Sequence, residues 1–190
     1  MVRAFIAADI SQEARDALAE VIKCLQQQGV SGVRWVRPEG VHLTLKFLGE
    51  IDQALVDGIL GGMERAAYGT KSFTLALSEL GAFPNANAPR VLWVGLKGDL
   101  DTLRGLQERV DQEMHLTCGF TQEGRAFTPH LTLGRLRDNA SGEERRRAGR
   151  ALSEVALEGE MSWQVKEVNL VRSTLTPSGA VYGLLGSRRL

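Results

Sequence analysis

Neither sign of charge predominates in this sequence. Lysine plus arginine total 23 and aspartate plus glutamate total 23, so no net field draws polyanions from a distance. Any nucleic-acid contact must therefore be local, in a basic groove or at a strand end. Cysteine is scarce: Cys24 and Cys118 stand far apart without Cys-x-x-Cys spacing, which suggests neither a zinc site nor a disulfide framework and reads as two buried thiols. Long apolar runs are missing as well. The stretch Ala4 to Ala8 lies between Arg3 and Asp9, too short for a signal peptide and far too short to span a bilayer. A cytoplasmic location without a membrane partner follows by default. What the chain does have is 43% hydrophobic content over 190 residues, enough to bury a core as one domain or as two small lobes packed together.

The chain also repeats itself. His42-Leu43-Thr44-Leu45 recurs letter for letter as His130-Leu131-Thr132-Leu133, both times in an apolar, β-prone setting. Successive side chains of an extended strand point to opposite faces, so each imidazole shares a face with the hydroxyl two positions on while the leucines enter the core. A lone His-x-Thr is weak evidence of function. An identical second copy is much stronger.

The remaining pattern places these words. Ala4 to Ala8 reads as a buried strand, followed by a helix capped by Ser11, with Glu13 in its first turn and Ala14, Leu18, Val21, Ile22 and Leu25 on one face until Gly29. Trp35 to Gly40 forms an approach segment broken by Pro38 and Gly40, and the first His strand spans about Val41 to Leu48. Its alternation puts Val41, Leu43, Leu45 and Phe47 on one side and His42, Thr44 and Lys46 on the other. Gly49 closes it, and Asp52 caps a helix with Leu55, Ile59, Leu60 and Met63 as its buried stripe. Phe73 to Leu80 and Val91 to Leu96 read as strands, joined by a projecting loop from Gly81 to Arg90 of the kind that binds ligands. A helix from about Asp101 follows, with Leu103, Leu106, Val110 and Met114 buried, and Phe127-Thr128-Pro129 leads into the second His strand. Ser141 and Glu144 form a capping box for another helix, on which Arg145 to Arg147 are a solvated face rather than an RNA patch. Strands near Trp163 to Ser173 and Val181 to Leu185, separated by a turn at Thr176 to Gly179, end the pattern.

Aligned on the two words, both halves run strand, helix, approach, His strand, helix, strand, strand. This outlines a duplication, with pseudo-symmetric lobes at about 4–96 and 91–185 within a single domain. If both His strands flank the pseudo-twofold axis, two imidazoles and two hydroxyls face each other across a groove. That set suits in-line displacement at phosphorus, which needs a base for the attacking water and an acid for the leaving oxygen. Thr44 and Thr132 can donate to the non-bridging oxygens, and Lys46, Arg135 and Arg172 can bind the phosphate or a ribose. No metal or other cofactor is then required.

These words resemble the two-histidine (2H) phosphoesterases, and within them the RNA 2′,3′-cyclic phosphodiesterases, also called 2′-5′ RNA ligases. The resemblance rests on Trp35…Pro38-Glu39…His42 to Gly49 and on Phe127 to Arg135. It extends to Arg3 to Ala7, Phe83-Pro84…Pro89 to Trp93, and Arg172 to Leu175…Gly179 to Tyr182, with Ala180 departing from the proline the family often carries there. It implies a bilobal α+β enzyme, two antiparallel sheets flanked by helices around a central cleft, that opens RNA 2′,3′-cyclic phosphate ends or small cyclic nucleotides to the 2′-phosphomonoester. By the same resemblance His42 is the proton donor, His130 the proton acceptor, and ends can also be joined 2′-5′ without a nucleotide cofactor. The protein is expected to act as a monomer.

Other readings of the same residues stay open. A metallohydrolase could use His42 and His130 as ligands, although neither word supplies the second histidine or carboxylate usual for zinc. A non-catalytic RNA-end-binding module would show no turnover, and two core histidines of a duplicated fold would do nothing. His115 lacks the word and reads as structural.

Overall fold

In this computed structural model, which describes residues 1–157, 159–176 and 179–190, two antiparallel sheets are flanked by four helices among the described residues, an α+β fold. Strand β1 (Val2–Ala8) leads to helix α1 (Gln12–Gln27), whose first turn is capped by the Ser11 hydroxyl accepting from the Ala14 N–H. The short strand β2 (Val33–Trp35) and a 3₁₀ turn at Pro38–Gly40 precede β3 (Leu43–Ile51). Next come α2 (Val56–Ala67), β4 (Phe73–Phe83), β5 (Val91–Gly98) and α3 (Leu100–Cys118). The remainder is β6 (His130–Leu136), α4 (Gly142–Glu154), β7 (Ser162–Val165), β8 (Glu167–Thr176) and β9 (Gly179–Arg189). The capping box of Ser141 and Glu144 forms in both directions.

Several expectations need correction. The expected approach segment begins inside β2, and the stretch Trp163 to Ser173 is two strands rather than one. Buried positions there move from odd (Trp163, Val165) to even (Val168, Leu170), so the period breaks where the chain leaves one sheet for the other. The turn at Thr176 to Gly179 falls partly outside the described residues, through Pro177 and Ser178. Leu55 belongs to a 3₁₀ turn and is 37% exposed, because α2 starts one residue later. The loop after β4 does not project freely: Arg145 donates to the Pro89 carbonyl at 3.0 Å, and Gly149 lies so near Ala86 that a Cβ would overlap its carbonyl. Arg145 is therefore a tether rather than a solvated charge. Cys24 is exposed and Cys118 half-buried.

The sheets run β3-β1-β8-β9 and β2-β6-β5-β4-β7. Corresponding strands occupy corresponding places, but the lobes are not the contiguous stretches 4–96 and 91–185. β8 of the second half completes the first sheet, and β4 of the first half completes the second. A repeated pattern identifies the duplicated unit without saying which sheet its last strand joins. One hydrophobic core runs through both sheets and includes Ile6, Leu43, Leu75, Leu92, Leu103, Leu131 and Leu170.

Both His words carry a bulge at the same letter. On β1, Ala7 pairs with Thr44 and Ile6 with Lys46, leaving Leu45 as the extra residue. On β5, Trp93 pairs with Thr132 and Leu92 with Gly134, leaving Leu133 extra. An inserted residue shifts every later side chain to the other face. Lys46 therefore enters the interior at 2% exposed and Phe47 turns outward at 62%, the reverse of strict alternation. In the second word the same shift buries Gly134 and turns Arg135 to the face of Thr132. The carbonyls freed by the bulges are still satisfied: Leu45 O accepts from Gln107 Nε2 at 3.4 Å, and Leu133 O from Val36 N–H at 2.8 Å.

Buried Lys46 is paired with Asp111 of α3 and donates to the Thr121 carbonyl at 2.9 Å, while Asp111 accepts from the Glu123 N–H at 3.1 Å. This group ties the first word to the segment that leads into the second. Lys46→Met leaves the Asp111 carboxylate buried without its cation and should destabilise the fold by about 3–5 kcal/mol in urea titrations. Adding Asp111→Leu should recover more than half of that loss. Equal losses in the single and double variants would show that the two side chains do not act as a pair.

Candidate active site

The two words meet although they belong to different sheets: β3 and β6 carry Cα atoms within 8 Å of one another. Beside them lies a cleft of about 690 Å³ lined by His42, Thr44, His130, Thr132 and Arg135, and by three side chains the sequence did not single out, Arg3, Arg125 and Tyr182. Lys46 reaches the cleft wall, but its ammonium is engaged with Asp111 and Thr121. Arg172 is not a lining residue. It pairs across β1 with buried Ala4, on the sheet face that looks into the core, and its guanidinium packs over Gly183. His115 is remote from this set, with Nδ1 on the Phe120 carbonyl at 3.0 Å.

His42 stands immediately before β3, at the exit of the 3₁₀ turn. Its Nδ1 is 2.7 Å from the Gly40 carbonyl, and His130 Nδ1 is 2.7 Å from the Thr128 carbonyl. A carbonyl oxygen can only accept, so Nδ1 carries the proton in both rings. Each Nε2 is left for chemistry, as a base when neutral and an acid when protonated. The turn that positions His42 is itself held. Arg15 of α1 donates to the carbonyls of Val41 at 2.7 Å, Glu39 at 3.1 Å and Pro38 at 3.4 Å, and is paired with Asp9. Gly40 leaves room for Tyr182, whose ring would lie 2.9 Å from a Cβ at that position.

Aromatic rings wall both imidazoles. His42 stacks on Phe5 with centroids 4.3 Å apart and meets the Tyr182 ring edge-on at 5.0 Å, while His130 meets Phe83 edge-on at 4.9 Å and lies 6.3 Å from Trp93. Burial against these rings lowers both histidine pKa values below the usual 6.5, because it penalises the charged form. The carbonyl bonds oppose that shift. Arg15 adds to it for His42, where Asp9 works the other way, and Arg135 adds to it for His130. Burial raises the Tyr182 phenol, against the smaller pull of Arg135 and Arg3.

The cleft is thus basic in a chain of zero formal net charge: Arg3, Arg125 and Arg135 line it against one carboxylate among the described residues, Glu123. Such a site favours an anion with an imidazole available to move a proton. The missed residues had uneven signals. Arg3 and Tyr182 both stand within recognised stretches but were given no role there. Arg125 lies in an aperiodic segment and had none.

Comparison with known proteins agrees with this geometry. The family model described as LigT like Phosphoesterase matches the chain twice, over residues 9–93 and 94–182. A protein of Methanothermobacter thermautotrophicus named RNA 2′,3′-cyclic phosphodiesterase is 33% identical over 181 residues, covering 95% of each chain. One of Thermotoga maritima with the same name is 33% identical over 184 residues, covering 97% of this chain and 93% of its own. Among solved structures, the protein TT0787 of Thermus thermophilus superposes with a TM-score of 0.79 at 28% identity, covering 99% of this chain and 97% of that one. Apo LigT of E. coli shares the fold at a TM-score of 0.77 and 23% identity, covering 100% of this chain and 97% of that one. With both halves matched and the fold shared end to end, the chain belongs to the LigT-like phosphoesterase family.

Proposed function

We propose that the cleft opens the 2′,3′-cyclic phosphate at the end of an RNA, or of a small cyclic nucleotide, to the 2′-phosphomonoester, using the two imidazoles as acid and base and no metal. One observation carries this: two identical words bring two histidines with the same fixed tautomer to one basic cleft. The names of the relatives support the substrate class. In the forward step, His130 Nε2 takes a proton from water as the water oxygen bonds to phosphorus. His42, protonated at Nε2, gives its proton to O3′ as the P–O3′ bond breaks. Thr44 and Thr132 hydroxyls donate to the non-bridging oxygens, and Arg135 offsets the charge. Afterwards the histidines have exchanged protonation states, and exchange with solvent restores them. An RNA hydroxyl in place of water would give the 2′-5′ joining reaction by the same transfer. Outward-facing Phe47, together with Leu175 on the cleft wall, offers an apolar surface for a nucleobase.

Short RNA ending in a 2′,3′-cyclic phosphate should yield a 2′-phosphate end at a rate undiminished by EDTA. A 3′-phosphate product or chelator sensitivity would refute the mechanism, and tight binding without turnover would make the protein an end-binding module.

The pH dependence follows from the lowered pKa values. Free enzyme is productive when one histidine is charged and the other neutral, and both titrate below 6.5. The bell of kcat/KM, which reports free enzyme, should therefore peak below pH 6.5 and fall as the acid loses its proton above it. A bound phosphodiester anion stabilises the imidazolium, so the bell of kcat should lie at higher pH. Coincident profiles, or a kcat/KM optimum above pH 7, would contradict this electrostatic picture.

A further inference from the structure

We infer that Arg34 of β2, beside Arg135 of β6, forms a second phosphate subsite that takes the RNA backbone phosphate upstream of the reacting nucleotide. The inference rests on the cyclic-phosphate function proposed above and extends it from a terminal nucleotide to an RNA chain. Arg34 is directly opposite Arg135 in the β2–β6 register. Residues so paired share a sheet face, and Arg135 lines the cleft while Arg34 stands one strand further out, on the edge strand of the same sheet. Both side chains are exposed, and neither has a carboxylate partner among the described residues.

Like charges directly opposite each other on a sheet are unfavourable, and this pair is held rigidly together. Gly134 admits β2 closely: a Cβ there would stand 2.6 Å from Val33 Cγ1 and 3.1 Å from the Arg34 carbonyl. Val36 N–H to Leu133 O and Arg137 N–H to Gly32 O, each 2.8 Å, fasten β2 at both ends. Charge on an edge strand can serve to block aggregation, but a strand of three residues presents little edge to block. An anion relieves the repulsion. Strand backbones about 4.8 Å apart root the two guanidinium groups close enough together to serve successive phosphates of one chain. For an RNA whose terminal phosphate is held at Arg135, Arg34 is the cation directly opposite on the adjoining strand.

The test compares Arg34→Gln with the parent protein on a 2′,3′-cyclic mononucleotide and on a short oligonucleotide bearing the same cyclic end, across a range of salt. On the oligonucleotide, kcat/KM should fall about tenfold at low salt, through KM, as expected for one lost charge-assisted hydrogen bond. The slope of log kcat/KM against log salt should shrink by about 0.7, one single-strand phosphate contact. On the mononucleotide the change should stay within about twofold, since the contact has no partner there. An equal loss on both substrates, or none on either, overturns the subsite. Should the parent turn over neither, the cyclic-phosphate function fails while the subsite stays testable. Arg34→Gln must then weaken binding of a 2′-phosphate-ended oligonucleotide, read by fluorescence anisotropy, more than binding of a nucleoside 2′-monophosphate. Equal effects there overturn it too.

Discussion

A carbonyl two residues before each histidine determines what that histidine can do. Because the oxygen only accepts, the Nδ1 proton is fixed and the reactive nitrogen is Nε2 on both sides of the cleft. Everything nearby preserves those two contacts. Arg15 gathers three carbonyls of the turn that contains Gly40, Tyr182 packs where Gly40 has no side chain, and the Lys46–Asp111 pair anchors the segment that ends at Thr128. The first histidine is thus positioned by a charged side chain of α1, and the second through α3. Duplication reproduced the contact without reproducing its support.

The bulge turns identical words into unlike halves. After each word's second leucine the strand changes face, so the next two positions decide what the interior and the cleft receive. In the first copy these are Lys46, inward, and Phe47, outward. In the second they are Gly134, where β2 docks closely, and Arg135, which faces the cleft. Beyond its threonine the first copy therefore offers the cleft an apolar ring and the second a cation. A nucleotide is asymmetric in the same way, with a flat apolar base and a charged phosphate. Two chemically equal histidines thus stand in unequal surroundings.

Much of this was legible in the sequence, and the failures have physical causes. Periodicity located α1, α3 and the core stripe Leu103, Leu106, Val110 and Met114, all fully buried. The repeated word located the histidines and threonines that share the cleft. Strict alternation misplaced Lys46 and Phe47, because a bulge is an insertion in pairing, and pairing partners are not written locally. Arg172 was grouped with Lys46 and Arg135 as a basic residue near the same faces, but strand parity puts it on the face of β8 opposite Ser173 and Leu175, which line the cleft. The strands exchanged between the sheets were invisible for the same reason: β4 and β8 read alike whichever sheet they join. Tyr182 comes to the cleft through that exchange, on β9 of the second half in the sheet that also carries Arg3 on β1, while Arg135 comes from the other sheet.

The central claim is that His42 gives a proton to O3′ while His130 takes one from water. A cyclic substrate whose bridging 3′ oxygen is replaced by sulfur tests it most directly, since a thiolate leaves without a proton and dispenses with the acid alone. On the oxygen substrate, alanine at either histidine should lower kcat by about 10²–10⁴-fold. On the sulfur substrate, His42→Ala should regain most of the parent rate and His130→Ala should not. The reverse pattern would exchange the two roles, and equal failure of both variants would contradict acid–base catalysis by this pair.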